Sequence, residues 1–132
     1  MSQGQRTEEA IQELHGAKSN LLMEAQMLIA TGEPEQAIER YACAAPMEVR
    51  LASFYKKQGD PMMAARHRFS AAICYAKSGS LREALKLFDA LSWDKNTPSQ
   101  YKTDALLWAT RLRQQQKEAL QTYGHVAQSA GA

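Results

Sequence analysis

Histidines are the residues of this chain most able to act as metal ligands or acid–base groups, and there are three: His15, His67 and His125. A helical metal site or proton relay needs a second histidine or a carboxylate about four residues away, so that both side chains share one face. None of the three has such a neighbour, and they fall on different predicted helices. We therefore predict three surface histidines and no metal site.

Two pairs of carboxylates, Glu8 with Glu9 and Glu33 with Glu35, resemble acid–base pairs by composition alone. Both pairs lie where a helix is predicted to start, and the helix dipole stabilises negative side chains there. The chain has no glycine-rich phosphate loop, no G-x-S-x-G nucleophile motif and no G-x-G-x-x-G dinucleotide motif. The sequence therefore predicts a protein that is not an enzyme and has no cofactor.

The two cysteines, Cys43 and Cys74, lie in separate predicted helices and lack the C-x-x-C spacing of zinc or redox sites. We predict that both are small buried hydrophobic residues in a reducing compartment.

The composition is that of a globular helical domain. Of 132 residues, 45% are hydrophobic and 23% are charged, which suits one core. No apolar run approaches the roughly 20 residues that span a bilayer, and residues 1–9 are too polar for a signal peptide. These features predict a single cytoplasmic domain over residues 7–128, flexible ends at 1–6 and 129–132, and no membrane insertion.

Charge is distributed unevenly along the chain. Residues 1–49 contain 3 Lys or Arg and 8 Asp or Glu, a net charge of −5, whereas residues 50–132 contain 13 and 6, a net charge of +7. Such an asymmetry favours an acidic partner for the second half, or head-to-tail self-association.

Apolar periodicity, glycines and prolines together predict six helices. Gly32, Gly59 and Gly79 end three of them, because glycine is favoured just beyond a helix C-terminus. Pro46 is expected to separate the second helix from the third. The predicted helices cover about residues 7–31, 33–45, 47–58, 61–77, 81–91 and 98–128.

Three details of this assignment depend on single residues. Thr7 is the predicted start of the first helix, because a hydroxyl caps free backbone amides. That helix is expected to continue through Gly16. Trp93 is placed in a loop, from which its ring is able to fold back onto the core.

The three glycine breaks share a pattern of small and large residues. A small residue precedes a Leu or Tyr by three positions, the glycine follows four positions later, and an Ala and a large residue come five and nine positions after the glycine. Glycine permits a tight turn, and small residues let two helices cross closely. The copies are Ala25, Leu28, Gly32, Ala37 and Tyr41; Ala52, Tyr55, Gly59, Ala64 and Arg68; and Ala72, Tyr75, Gly79, Ala84 and Phe88.

This pattern resembles the tetratricopeptide repeat, in which antiparallel helix pairs stack into an array. The resemblance covers residues 19–91 and implies an all-α fold, a short right-handed TPR-like array of about six helices. The glycines are 27 and 20 residues apart, whereas regular repeats are about 34 residues long, so the helix over 61–77 is expected to belong to two successive pairs. An irregular helical bundle with ordinary glycine caps is the alternative.

The resemblance also implies a groove, lined by the first helix of each pair, that binds a peptide or helix of a partner protein. The expected function is therefore a non-enzymatic protein–protein interaction adaptor or scaffold. The groove is apolar at one end and basic at the other, and its charge is compatible with an acidic or phosphorylated ligand. Carried over by offset from the glycines, its residues are Leu22, Met23, Gln26, Ile29, Val49, Arg50, Ser53, Lys56, Lys57, Arg66, Phe69, Ser70, Ile73 and Lys77. The alternative is that Lys56, Lys57 and Lys77 only solvate an exposed face.

Two other functions are also compatible with the sequence. The basic second half is compatible with a nucleic-acid-binding helical array, although no repeated aromatic or Asn/Arg reader is visible. The Ala-rich second helix, or the helix that contains Trp108, is compatible with self-assembly into a homo-oligomer.

Overall fold

The computed structural model describes the backbone of residues 2–131 and the side chains of residues 2–124. Within that range the chain is all-α, with five helices and no strand. The all-α prediction is confirmed, but the predicted number of helices is one too many. The helices are α1 (Gln3–Ala30), α2 (Pro34–Lys57), α3 (Pro61–Lys77), α4 (Leu81–Trp93) and α5 (Ser99–Gly131).

The missing boundary is the one predicted at Pro46. Proline lacks the N–H that would bond the carbonyl four residues earlier, here that of Ala42. Ala42 and Pro46 are both exposed, so water can satisfy this carbonyl. Meanwhile Ala44, Ala45 and Glu48 are buried on the opposite side of the helix, where packing holds it together. The predicted second and third helices are therefore the single helix α2.

The three glycine turns have the same hydrogen-bonded geometry. Gly32, Gly59 and Gly79 have φ angles of 79°, 74° and 85°, in the left-handed region that glycine tolerates best. Each glycine N–H bonds a carbonyl three residues back, and the following N–H bonds a carbonyl five residues back. This is the Schellman arrangement, which satisfies carbonyls at a helix C-terminus. The predicted role of the glycines as tight-turn residues is confirmed.

Two of the three predicted details differ from the structure, both at the ends of helices. α1 starts at Gln3, capped by Ser2, and not at Thr7. It continues through Gly16 as predicted. Trp93 ends α4 and is 87% exposed, so its ring does not fold back onto the core.

The segments predicted to be flexible overlap helices at both ends. α1 includes residues 3–6, and the backbone of α5 is helical through Gly131. Met1 and Ala132 lie outside the described residues. The flexibility of these segments stays a prediction.

Successive helices pack against each other, and α3 also contacts α5. The helices are joined by short turns, so neighbours run antiparallel. Among the side chains that the structure describes, 12 of the 18 buried hydrophobic ones are alanines, so the helix axes approach closely. No helix among the described residues has both the length and the apolar character to cross a membrane.

The core consists of two clusters that meet at α3. The first joins α1, α2 and α3 around Ala25, Tyr41 and Cys74. The second joins α3, α4 and α5 around Phe88 and Leu91. Tyr75 of α3 packs against both clusters, so α3 is the element through which the two halves are connected.

Candidate functional site

The predicted groove residues on α1 lie near its C-terminal end. Leu22 is half-buried and packs against the first core cluster. Met23, Gln26 and Ile29 are exposed, Met23 by 59% and Ile29 by 53%. Two large apolar side chains are therefore available to solvent at this end of α1.

The predicted groove residues on α2 do not share one surface. Val49, Arg50, Ser53, Lys56 and Lys57 are all exposed. Arg50, Ser53 and Lys57 line a groove between α1 and α2, whereas Lys56 lines a different cavity beside α3. This division follows from the helical geometry of α2, in which consecutive residues such as Lys56 and Lys57 point about 100° apart.

The α1–α2 groove has an apolar wall and a basic edge. Its volume is about 430 Å³. Only two of the residues that line it, Arg50 and Lys57, carry a charge. The complete lining is Thr7, Ala10, Ile11, Leu14, Arg50, Ser53, Phe54, Lys57 and Gln58. This combination suits a short segment with an apolar side chain and a carboxylate.

The predicted groove residues on α3 face several directions. Phe69 and Ile73 are half-buried and pack against the second core cluster, with the Phe69 ring 5.6 Å from that of Phe88. Ser70 is half-buried beside Glu48. Arg66 and Lys77 are exposed.

Lys77 also contacts α2. Its ammonium group lies 5.0 Å from the centre of the Tyr41 ring, within the range of a cation–π interaction. The fourteen predicted residues thus line no single described cavity, and a continuous groove over α1, α2 and α3 stays a prediction.

A group of polar side chains that the sequence analysis did not bring together lies between α1, α2 and α3. We call it the buried polar cluster, and its members are His15, Lys18, Glu48, Tyr55 and His67. Glu48 and His67 are buried, with 0% and 3% of their surface exposed. The other three are half-buried. The prediction of a surface position is therefore wrong for His67, and the side chain of His125 lies outside the described residues.

Glu48 is the centre of this cluster. Nδ1 of His67 donates a hydrogen bond of 2.9 Å to its Oε1, and Nζ of Lys18 lies 3.5 Å from the same oxygen. Burial alone would raise the pKa of Glu48. The hydrogen bond from His67 and the charge of Lys18 outweigh burial, so the pKa lies below its usual value. Glu48 is therefore ionised at neutral pH, as a bridge between α1 and α3.

The aromatic rings of the cluster form its second layer. The Tyr55 ring stacks on His67, with centroids 5.3 Å apart and planes 7° apart. Nε2 of His15 lies 2.9 Å from the Tyr55 hydroxyl, at hydrogen-bond distance. The edge of the His15 ring meets His67 at 5.2 Å. Burial, the neighbouring His67 and the charge of Lys18 lower the pKa of His15.

This cluster joins three helices, but its centre is closed to substrates. The side chains of Glu48 and His67 are 0% and 4% exposed. Oε2 of Glu48 and Nε2 of His67 have no hydrogen-bond partner among the described residues. Unsatisfied buried polar atoms cost stability, so the remaining contacts must hold the cluster in place.

A sequence signal for the cluster exists in the helical periodicity. Glu48 falls on the same helical stripe as the buried residues Tyr41, Ala44 and Leu51. His67 falls on a stripe with the buried residues Ala64, Ala71 and Cys74. A charged or polar residue on a core stripe needs a partner from another helix. A search for partners four residues from each histidine applies within one helix only, so it does not detect a partner on another helix.

The cluster predicts that acid destabilises the protein. The pKa of His15 is lowered in the folded state, so the unfolded chain binds the proton more tightly, and stability falls as pH drops below 6.5. The pKa of Glu48 is also lowered, so its contribution is present above pH 4.5 and is lost as pH falls through the folded-state pKa. We expect a lower urea midpoint at pH 5.5 than at pH 7.5, measured by circular dichroism. Replacing His15 with Gln should flatten this dependence, and an equally steep profile in that variant would contradict the assignment.

A second cavity lies where the C-terminus of α2 meets the turn before α5. Its volume is about 260 Å³. Nη1 of Arg68 lies 3.6 Å from Oδ2 of Asp94 at its wall, and Lys56 also lines it. The backbone N–H of Asn96 and the charges of Arg68 and Lys56 lower the pKa of Asp94. Arg68, the last residue of the second copy of the sequence pattern, thus connects α3 to the turn after α4.

Neither cysteine is placed to bind a metal or form a disulfide. Cys74 is buried as predicted, and burial raises the pKa of its thiol to about 11. Cys43 is exposed, so the prediction of burial is wrong for this residue. No group of three or more His, Cys, Asp or Glu residues in the described range is arranged to hold a metal ion.

Comparison of the chain with protein-family models, with curated proteins and with solved structures finds no significant match.

Proposed function

We propose that this protein is a non-enzymatic interaction adaptor that binds a short acidic segment of a partner protein. The single observation that carries the proposal is the α1–α2 groove, in which Arg50 and Lys57 flank an apolar wall. Three of the residues assigned to a partner-binding groove from the sequence, Arg50, Ser53 and Lys57, line it.

The electrostatics of this groove favour a carboxylate or a phosphate. Arg50 and Lys57 both lie on α2, on the same side as Ser53. An arginine guanidinium binds a carboxylate through two parallel hydrogen bonds, and a lysine adds a second positive charge. No acidic side chain belongs to the lining of the groove itself, and Glu8 lines the adjoining cavity, which shares Thr7, Ile11, Phe54 and Gln58 with it.

The apolar wall gives the groove a place for a hydrophobic anchor. Ile11, Leu14 and Phe54 are half-buried, so each is held in position but still presents surface to solvent. Partner segments are commonly bound by one or two buried apolar anchors with polar contacts around them. We therefore expect a ligand with one Leu, Ile or Phe and one or two acidic residues within a turn of it.

The proposed architecture is a short TPR-like array. Two observations support it. The three glycine turns share one hydrogen-bond pattern, and α3 contacts α5. The irregular bundle remains the alternative, and the peptide-binding proposal does not depend on the choice, because the groove lies within the α1–α2 pair alone.

A selection from a random peptide library on the immobilised full-length protein tests this function. We expect the enriched peptides to combine an apolar anchor with Asp or Glu. Replacing Arg50 with Glu should weaken binding of the best peptide by at least about tenfold, which corresponds to about 1.4 kcal/mol. The measurement is isothermal titration calorimetry at two salt concentrations, because binding to exposed cations weakens as salt is added.

The matched control for this experiment is Lys95→Glu, which makes the same charge reversal at an exposed residue outside the groove. Binding that falls equally in both variants would show a general charge effect and no site. Amide shift changes on peptide binding should map to Ile11, Leu14 and Phe54. If they map elsewhere on the protein, the groove is not the binding site.

A further inference from the structure

One face of α5 is a mostly apolar seam, interrupted by Gln116, that its neighbour α4 covers only in part. The seam follows the alternating spacing of four and three residues that is typical of helix–helix contacts. It consists of Ala105, Ala109, Leu112, Gln116, Ala119 and Tyr123. Ala105, Ala109 and Leu112 are 0%, 1% and 5% exposed, because they pack against Phe88 and Leu91 of α4 in the second core cluster.

The second half of the seam has no covering helix among the described residues. α4 is 13 residues long and α5 is 33 residues long, so α5 continues after α4 has ended. Every residue from 113 to 123 is exposed. Leu120, at the edge of the seam, is 70% exposed and Tyr123 is 75% exposed. We call Gln116, Ala119, Leu120 and Tyr123 the open seam.

The open seam is uncharged, and this decides what kind of surface it fits. Glu118 lies on the opposite side of α5, and Lys117 lies beside Leu120 at the edge of the open seam. Arg113, just before it, already forms an ion pair with Asp89 of α4. The four residues of the open seam themselves offer no charge to an acidic or basic partner. A second uncharged helix with the same pattern of small and large residues is the best match.

We infer that the open seam binds the open seam of a second copy of this chain, as an antiparallel pair of α5 helices. The alternating spacing gives the seam two kinds of position, and in an antiparallel pair of helices a position of one kind faces a position of the other kind. Ala119 of each copy then faces Tyr123 of the other, so a small residue meets a large one in two equivalent layers. The two Leu120 side chains meet near the twofold axis. This self-complementarity is the requirement for a symmetric dimer contact.

The proposed contact also extends the surface of α5 that already packs against α4. α4 packs antiparallel on the first half of the α5 seam, and the second copy's α5 would pack antiparallel on the second half. The contact involves only about two turns of helix, so it lies at the weak end of protein interfaces, and we expect a dissociation constant in the micromolar range. This inference is independent of the α1–α2 groove, which lies on different helices.

Analytical ultracentrifugation of the full-length protein from low to high micromolar concentration tests the dimer. The average mass should rise from 14.7 kDa toward twice that value. Replacing Leu120 with Glu places two negative charges together at the axis and should keep the protein monomeric. Leu107→Glu is the matched control, because Leu107 is 59% exposed on the same helix but faces away from the seam. A monomer at every concentration, or a Leu120→Glu variant that still dimerises, would overturn the inference.

The arrangement is tested separately by cross-linking. In a Cys43→Ser background, which removes the exposed native thiol, Leu120→Cys should form a disulfide-linked dimer under mild oxidation, and Leu107→Cys should not. Cross-linking through position 107 in place of 120 would rule out the antiparallel α5 pair, because it would mean that another face mediates association. Circular dichroism of each variant confirms that the fold is unchanged.

Discussion

We expect the Glu48→Ala variant to lose about 3–5 kcal/mol of the free energy of unfolding. The substitution removes the acceptor for His67 and the partner of Lys18, whose side chain is only 16% exposed. It therefore leaves a buried imidazole and a largely buried ammonium group without their carboxylate. The measurement is equilibrium unfolding in urea at pH 7.5, followed by circular dichroism.

Two comparison variants separate the lost charge from the lost side chain. Glu48→Gln keeps the shape and an acceptor for His67, so we expect it to cost less than alanine. Glu39→Ala removes an exposed carboxylate from the same helix and should change stability by no more than about 0.5 kcal/mol. If Glu48→Ala loses no more free energy of unfolding than Glu39→Ala, the buried polar cluster contributes nothing to stability.

A double-mutant cycle tests whether Glu48 acts through His67. Once Glu48 is alanine, His67 has already lost its partner, so His67→Ala should cost less than it does in the wild-type protein. The combined loss should therefore fall short of the sum of the single losses, typically by about 0.5–3 kcal/mol for residues in contact. Additive losses would show that the two side chains stabilise the fold separately.

The glycine turns could be predicted because their signal is local. Positive φ at Gly32, Gly59 and Gly79 follows from the low steric cost of this conformation in glycine alone. The apolar residues around each turn have helical spacing, so the helices on both sides were also predictable. Within the described residues, the predicted helices differ from the observed ones mainly at their ends and at Pro46.

The helix boundary predicted at Pro46 is wrong because the energetic cost of a proline in a helix depends on tertiary surroundings that the local sequence does not show. A proline inside a helix removes one hydrogen bond, and its ring clashes with the carbonyl four residues earlier, at a cost of about 3 kcal/mol or more. Here the freed carbonyl is that of an exposed residue, and seven buried residues of α2 hold the helix against its neighbours. Tertiary packing outweighs the local preference.

The candidate groove was only partly predictable for the same reason. Arg50, Ser53 and Lys57 are assigned to it by their offset from Gly59, as part of a separate helix that is predicted to start after Pro46. With α2 continuous, these residues face the N-terminal half of α1, and their apolar neighbours are Ile11 and Leu14. The pairing of α1 with the second half of α2 spans about 40 residues of sequence, and no local pattern encodes it.

The buried polar cluster could not be predicted because its three helices meet only in the folded chain. His15, Glu48 and His67 are separated by 33 and 19 residues. Each residue alone resembles a surface residue, since ionisable side chains are seldom buried without a partner. The helical stripes indicate that Glu48 and His67 face inward, but they do not show that the two side chains face each other.

The other large expected effect on stability comes from replacing Phe88 in the second core cluster. This substitution also tests whether the two halves of the protein unfold together. Phe88 is 0% exposed and lies between two rings, 5.6 Å from Phe69 and 5.9 Å from Trp108. Its neighbours come from both α3 and α5. Replacing it with alanine removes these contacts and opens a cavity that three helices cannot fill without moving, so we expect a loss of about 3–5 kcal/mol.

The Phe88→Ala variant should still unfold in one transition, because Tyr75 packs against both core clusters and α3 belongs to both. Urea unfolding followed by far-ultraviolet circular dichroism and by tryptophan fluorescence tests this, since Trp108 lies beside Phe88. Trp93→Ala is the matched control: it removes a larger aromatic ring from the same helix, but that ring is 87% exposed, and the expected change is within about 0.5 kcal/mol. Coincident transitions at a lower midpoint would show one cooperative unit. A fluorescence transition that precedes the loss of helix would instead mean that α4 and α5 detach first, while α1, α2 and α3 remain folded around Glu48.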